Sequence, residues 1–337
     1  MRVMVTGGRG RLGRTVVQVL HERGHAVVSV DRAGAETAPE ATTDDEPRFR
    51  AVDLQQRDAL RALVAEERPE AIVHLAAIAV PFSRPEHEIF AVNTSMAFQL
   101  MEAAVDFGVA RVLAASSPTV LGYPRADWSP ELLPLSEGTP VMPDNAYALS
   151  KVVVEETVRM FARSHPDRLF GAFRPCYVIA PEEWAGAPTQ QGHTIVDRLR
   201  DPRLSAVALF NYLDARDAAA FIDTWLTADV PNGQCYFVGA PDALATRPLA
   251  DLLPVTRGYD KAICAPLTGT LPAFDSARAA DELGWRAQRT WRTELDPQTT
   301  ADIDAAGSSA DRRFGDHTEQ DVSRLPGAAG QKERTTA

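Results

Sequence analysis

Cysteine is scarce: Cys176, Cys235 and Cys264 are the only three in 337 residues, far apart, without CxxC spacing or a neighbouring histidine cluster. This excludes a disulfide framework and a thiolate zinc site, so no metal is expected and a reducing cytoplasm fits. Basic residues are also in deficit, 35 Lys and Arg against 46 Asp and Glu for a formal net charge of −11, and no dense basic run occurs. Nucleic acid and anionic membrane surfaces are therefore excluded as main partners. No apolar run reaches the roughly 20 residues of a membrane span. The first apolar strand begins at residue 2, leaving no room for a signal peptide, so a cytoplasmic protein that acts on a small molecule is expected. The chain is 45% hydrophobic, enough for one large α/β domain with a lobe attached.

What is present begins at once. Arg2-Val3-Met4-Val5 runs into Thr6-Gly7-Gly8-Arg9-Gly10-Arg11-Leu12-Gly13, followed by Val16, Val17, Val19 and Leu20. A short apolar run, a glycine-rich turn and a helix with one apolar face form a strand-turn-helix unit. Glycine permits the tight turn and the close approach of a pyrophosphate to N–H groups at a helix start, so a dinucleotide is the expected ligand.

Strand and helix then alternate. His25 to Val30 forms a second strand ending at Asp31, about twenty residues past the glycines, where a carboxylate binds ribose hydroxyls. Its charge repels a 2′-phosphate and favours NAD over NADP, although the adjacent Arg32 can partly accommodate that phosphate. Residues from about 33 to 47 read as an exposed polar loop. Phe49 to Leu54 gives a third strand, with Asp53 able to accept from an adenine amino group. Ala71 to Ala77 gives a fourth, and small residues in Leu75-Ala76-Ala77 let a cofactor lie against the backbone. His74 reads as a packed strand residue. A helix from about 89 to 107 carries Asn93 near its start. Arg111 to Ala115 is the fifth strand and delivers Ser116 and Ser117 to the sheet's carboxyl edge, where ligands of open α/β sheets bind. Such alternation implies parallel strands joined by right-handed crossovers, hence a Rossmann-type, doubly wound α/β sheet.

Past a proline-rich, acidic loop, Tyr147 and Lys151 stand four apart at a helix start, which puts both on one face. An ordinary phenol near pKa 10 is a weak base at neutral pH, and an ammonium beside it is expected to lower that value. Ser117 is placed to hold the same substrate oxygen.

These features in order, with Ser116-Ser117-x-Thr119-Val120-x-Gly122, Phe173-Arg174-Pro175, Tyr212 to Ala219 and Leu283-Gly284-Trp285, resemble the extended short-chain dehydrogenase/reductases. More narrowly, roughly residues 1 to 290 resemble the NAD-dependent epimerase/dehydratase family. The resemblance implies that Ser117, Tyr147 and Lys151 are catalytic. It places Gly7, Gly10, Arg11, Leu12 and Gly13 around the pyrophosphate, Asp31 at the ribose, Asp53 and Leu54 at the adenine, and Asn93, Ser116 and Lys151 towards the nicotinamide end. It further implies a homodimer formed through the helices that follow Asn93 and Lys151. The chain departs from the pattern at Leu121 and at Cys176-Tyr177, both on the substrate side, and lacks a glycine-rich segment to clamp a nucleotide base. Resemblance to the uronate dehydrogenase branch is looser.

The expected organisation is a dinucleotide-binding domain over residues 1–174, a small substrate lobe over 175–295 with parts returning to the first domain, and a polar, disordered tail over 296–337. Trp184, His193, Arg198, Arg203 and Arg216 fall in the lobe; each arginine reads as an ordinary surface residue first, and as a group able to grip a substrate carboxylate or phosphate second. The expected activity is hydride transfer at a hydroxyl or carbonyl carbon of a sugar-like or small carbonyl substrate. Nucleotide-sugar epimerisation is the alternative, and a dinucleotide-sensing protein the non-enzymatic one.

Overall fold

In the computed structural model the described residues are 1–32 and 46–310, the last five as backbone only. Seven strands form one parallel sheet: β1 Arg2–Thr6, β2 Ala26–Asp31, β3 Arg48–Ala51, β4 Ala71–His74, β5 Arg111–Ala115, β6 Leu169–Pro175 and, with two short strands intervening in sequence, β9 Cys235–Val238. Their spatial order is β3-β2-β1-β4-β5-β6-β9. The chain winds outward from β1 in one direction and then, starting at β4, in the other. The carboxyl ends of β1 and β4 therefore flank the point where connections diverge and leave a crevice.

Helices α1 Arg11–Glu22, α2 Arg57–Glu67, α3 Glu86–Asp106 and α4 Ala146–Ser164 cover the two faces. On one, Val16, Val17 and Leu20 of α1 join Val3, Val5, Val73 and Leu113 of the sheet in a continuous core. On the other, Leu60, Leu100, Met101 and Val158 pack against Met4, Ile72 and Val112. The strands read as unbroken apolar runs because both sheet faces are buried.

Beyond β6 the elements shorten. The lobe contains β7 Val178–Ile179 and β8 Leu213–Asp214, which pair in parallel, and α5 Pro181–Trp184, α6 Ile195–Arg200 and α7 Arg203–Ala206. Then α8 Ala215–Thr227 returns to pack on α1, and β9 extends the main sheet beside β6. The remaining helices are α9 Leu249–Arg257, α10 Lys261–Cys264, α11 Ala277–Leu283, α12 Trp291–Glu294 and α13 Pro297–Ala310.

Two expectations need correction. The chain after Asp296 does not lose structure at once: α13 packs against α6 and buries Ile303 among Ile195, Leu199, Trp291 and Leu295. One apolar residue per turn is too weak a period to read, yet one well-placed isoleucine docks the helix. Residues 311–337 of the expected tail, and 33–45 of the expected polar loop, lie outside the described residues. Nor is Arg198 a surface residue: only 1% of it is accessible. A six-residue helix carries too few periods to show which side faces in.

Candidate active site

A cavity of about 810 Å3 opens at the crevice, bounded by the glycine turn, the ends of β2, β4 and β5, the start of α4 and the lobe segment after β6. The turn is shaped for close approach. Gly7 has φ of 68°, and a Cβ there would lie 2.8 Å from the Ala76 nitrogen; a Cβ on Gly13 would lie 2.0 Å from the Gly7 carbonyl oxygen. Helix α1 starts at Gly10 with no side chain capping it. Its first N–H groups are thus left for an anion, and the helix dipole adds favourable potential.

Asp31 ends β2 at the cavity wall. Its carboxylate accepts from the Arg9 N–H at 3.1 Å and the Arg32 N–H at 2.8 Å, which fixes it at the edge of the turn. Arg32, Asp53, Leu54, Leu75, Ala76 and Ala77 line the same wall, together with Gly7, Gly10, Arg11, Leu12 and Gly13. The structure therefore brings together almost every dinucleotide-binding residue that the sequence suggested.

Asn93 is the exception. It is buried in α3, its Oδ1 accepts from Ile78 N–H at 2.8 Å, and its Nδ2 donates to the Ile78 carbonyl and to Ser150 Oγ. It is not on the cavity wall; it ties the turn after β4 to α4. Ser116 reaches the wall, but its hydroxyl donates away from it to Glu155 Oε1 at 2.6 Å.

Ser117, Tyr147 and Lys151 all line the cavity. Ser117 caps a short 3-10 turn at Pro118–Leu121, accepting from the Thr119 N–H and sharing a hydrogen bond with the Thr119 hydroxyl at 2.8 Å. Asn145 caps α4 by accepting from the Ala148 N–H, so the helix starts one residue before Tyr147. Spacing by four then carries the sequence Tyr147, Lys151, Glu155 down one buried face. Lys151 Nζ donates to the Ala115 carbonyl at 2.8 Å and lies 5.7 Å from the centre of the Tyr147 ring.

Burial sets the direction at the phenol: it raises Tyr147 above its ordinary value, and a hydrogen bond with Ser117 pulls it partly back. The Lys151 ammonium is held by the Ala115 carbonyl beside the Tyr147 ring. Burial also brings Lys151 itself down to about 8. His74, buried and bonded to the Thr6 hydroxyl at 2.8 Å, is pushed down to about 3 by burial, with the Lys151 charge adding to the shift. It is a neutral, packed strand residue.

Several side chains at the site went unread in the sequence. Glu155 forms a buried two-bond pair with Arg174, at 2.7 and 2.8 Å, that joins α4 to β6 behind Ser116. The spacing of four from Lys151 was its one available signal. Glu183 of α5 grips the Arg11 guanidinium and accepts from the Ala180 N–H, linking lobe and glycine turn across the cavity. Nothing local marks it, since a pair 172 residues apart has no period.

A parallel sheet opening at a glycine turn, with serine, tyrosine and lysine hydroxyl and ammonium groups gathered at its carboxyl edge, defines the class of dinucleotide-dependent short-chain dehydrogenase/reductases. Comparison with known proteins narrows this. A sequence model of the NAD dependent epimerase/dehydratase family matches residues 3–239. The UDP-glucose 4-epimerase of Mycolicibacterium smegmatis is 31% identical over 309 residues, covering 86% of this chain and 94% of the relative. The uronate dehydrogenase of Pseudomonas syringae pv. tomato is 32% identical over 160 residues, covering 48% of this chain and 54% of its own length. Among solved structures, a short-chain dehydrogenase/reductase superfamily protein from Agrobacterium tumefaciens with bound NAD covers 93% of the chain at TM-score 0.65 and 22% identity, all of that protein being matched. The UDP-glucose 4-epimerase of Thermotoga maritima with UDP-glucose also covers 93%, likewise over its full length, at TM-score 0.63 and 16% identity, and so shares the fold. The chain belongs to the NAD-dependent epimerase/dehydratase family of extended short-chain dehydrogenase/reductases. It is an NAD-dependent enzyme. The match ends at residue 239, so the last strand of the main sheet lies inside the family unit and α9 to α13 lie beyond it.

Proposed function

We propose that the protein moves a hydride between NAD and a carbon bearing a hydroxyl or carbonyl on a sugar-like substrate, with Ser117, Tyr147 and Lys151 as its catalytic residues. The observation that carries this reading is that all three line one cavity with the uncapped glycine turn. The residues fit the dinucleotide: a Cβ at Gly7 or Gly13 would fill the cradle, and Asp31 stands at its edge. Gly7, Gly10, Arg11, Leu12 and Gly13 would hold the pyrophosphate, Asp31 and Arg32 the ribose, and Asp53 and Leu54 the adenine. Leu75, Ala76 and Ala77 would back the bound molecule, while Ser116 and Lys151 shape its reactive end. NAD, when bound, supplies the hydride acceptor, or the donor in its reduced form.

The chain's own residues handle the proton. Tyr147 exchanges it at the phenol oxygen with the substrate oxygen, and Ser117, which lines the same cavity, holds the same oxygen. With the phenol raised by burial, the neutral, proton-donating form prevails at pH 7. Donation to a carbonyl is therefore ready, whereas oxidation of an alcohol first needs the phenol to lose its proton. Lys151 keeps β5 and α4 in register through the Ala115 carbonyl and places a positive charge behind the reacting oxygen.

Tyr147→Phe tests the assignment. Turnover, followed by NADH absorbance and by sugar analysis, should fall by about 10²–10⁴ or more, while NAD binding stays near wild type. Retained turnover would remove Tyr147 from the chemistry. Epimerisation is the second reading, favoured by similarity to the M. smegmatis epimerase over 94% of that protein; a changed sugar without net NADH identifies it. Asn93 acts in this scheme by bracing the turn at Ile78. We place the enzyme in the cytoplasm, which its three free, buried thiols support. We also assign it a homodimer through α3 and α4, where Phe98, Leu149 and Met160 stand exposed; a monomer in light scattering would refute that.

A further inference from the structure

The glycine turn and the lobe meet across the cavity at one side chain. Arg11 stands in the first turn of α1, a helix start with no side-chain cap, and lines the cavity. Both Glu183 carboxylate oxygens accept from its Nη2, while its Nε is buried without a hydrogen-bond partner among the described residues. The same guanidinium lies 5.4 Å from the centre of the Tyr177 ring, within reach of a cation–π contact. Three residues on, Arg14 Nη2 donates to Glu182 Oε1 at 2.6 Å. Two arginines on one face of α1 thus meet two consecutive acids of α5.

Both acids line the cavity read above as the dinucleotide site. A carboxylate beside a pyrophosphate is unfavourable unless its charge is cancelled. Glu183 is 5% accessible, and beyond Arg11 it accepts from the Ala180 N–H at 2.6 Å. Were Arg11 to leave it for the pyrophosphate, a buried negative charge would be stranded next to two more of the same sign. Arg11 must therefore keep Glu183 while it meets the dinucleotide. A guanidinium can do both, because it presents five donors in a rigid fork and Glu183 engages Nη2 alone.

The lobe side of this contact is itself anchored. The Tyr177 N–H donates to Asn211 Oδ1 at 2.7 Å, and its carbonyl accepts from the Leu213 N–H at 2.9 Å. Trp184, beside Glu183, donates to Asp214 of β8. Whatever fixes Arg11 therefore fixes the lobe wall that carries Tyr177 and Glu183.

We propose that Arg11 is a clamp between cofactor and lobe. It holds Glu183 and Tyr177 on the lobe side and gives its remaining donors to the pyrophosphate, so that dinucleotide binding locks lobe segment 177–190 over the cavity. This rests on the reading of the cavity as the dinucleotide site, and not on the chemistry assigned to Tyr147. Arg11 is then a positioning residue for the lobe as well as an anion ligand. Coupling is reciprocal, so the locked lobe also retains the dinucleotide.

The test is amide hydrogen exchange of the full chain, free and saturated with NAD, with saturation set for each protein by calorimetric titration. In the wild type, NAD should slow exchange across 177–190 about tenfold or more. Arg11→Lys keeps a charge for Glu183, so the free variant should exchange as the wild type does. Lacking the fork, it should show a slowing by NAD of about twofold or less. Glu183→Gln still accepts from the Ala180 N–H but loses the ion pair, and its slowing by NAD should shrink likewise while NAD still binds. Arg11→Lys carries the outcome by itself if Glu183→Gln fails to fold. Exchange across 177–190 that NAD leaves unchanged in the wild type overturns the clamp and leaves the dinucleotide cradle standing. Slowing of equal size in the wild type and in Arg11→Lys overturns it as well. If the wild type does not bind NAD, the cradle itself fails and the clamp falls with it.

Discussion

The sheet edge that holds the dinucleotide and the lobe that faces it are built on opposite plans. At the sheet edge, functional positions sit at the ends of long, regular elements: Gly7 after β1, Asp31 at the end of β2, Ser117 after β5, Tyr147 in the first turn of α4. Each is placed by backbone hydrogen bonding and by apolar contact on both faces. The lobe consists of helices of four to six residues and two-residue strands, and polar pairs hold it. Trp184 Nε1 donates to Asp214 Oδ2 at 2.7 Å, Arg216 forks onto the same carboxylate, and Asp217 accepts from the Gln288 and Arg289 N–H groups. The contrast teaches that the half proposed to hold the cofactor is made of period and backbone, whereas the half proposed to meet the substrate adds individual side-chain pairs to a small apolar cluster.

The comparison breaks most sharply at Gly13. Gly13→Val places carbon 2.0 Å from the Gly7 carbonyl, so NAD binding should fall by about a hundredfold or more, read by calorimetry. If the variant binds normally, the turn is not the cradle described above. Next in size is a buried pair within the sheet half, where α4 meets β6. Glu155→Ala strands Arg174 in the interior and should cost about 3–5 kcal/mol in denaturant unfolding; a loss under 1 kcal/mol would mean that the pair relaxes into water.

Within the sheet half, pH should divide the two directions of the reaction. Alcohol oxidation requires the deprotonated phenol of Tyr147, which burial holds above its usual value, so oxidation rates should rise as pH climbs above neutrality. Carbonyl reduction uses the protonated phenol, which remains the prevailing form over the same interval, so its rate should stay level. A rising oxidation profile beside a level reduction profile is expected, and parallel slopes would refute the assignment of Tyr147 as proton carrier. The smallest effect concerns one cofactor contact: Asp31→Ala should shift the NADP-to-NAD ratio of kcat/KM by about tenfold towards NADP, since one carboxylate's repulsion is removed. An unchanged ratio would show that Arg32 or the turn sets cofactor choice.

Legibility followed the same division. β5 is found at the residues read from the sequence, Arg111–Ala115, and α4 carries Tyr147 and Lys151 on one buried face as their spacing requires. β4 ends at His74, leaving Leu75, Ala76 and Ala77 in the turn where a ligand can meet backbone. The lobe gave no such return: Arg198 reads as surface and is buried, and α13 reads as tail and is docked.

By itself, then, the sequence determined the parallel sheet, the glycine turn, the acidic residue at the end of β2 and the serine, tyrosine and lysine of the site. These depend on near neighbours, on periods of two and 3.6 and on glycine's freedom, all written along the chain. Only the tertiary structure decided that Lys151 faces the Ala115 carbonyl, that burial raises Tyr147, that Asn93 braces a turn, that Glu183 closes on Arg11, and that Arg198 lies buried without an acid. Burial and pairing between residues far apart in sequence set the energy of a charge, and neither has any signature in the local order of residues.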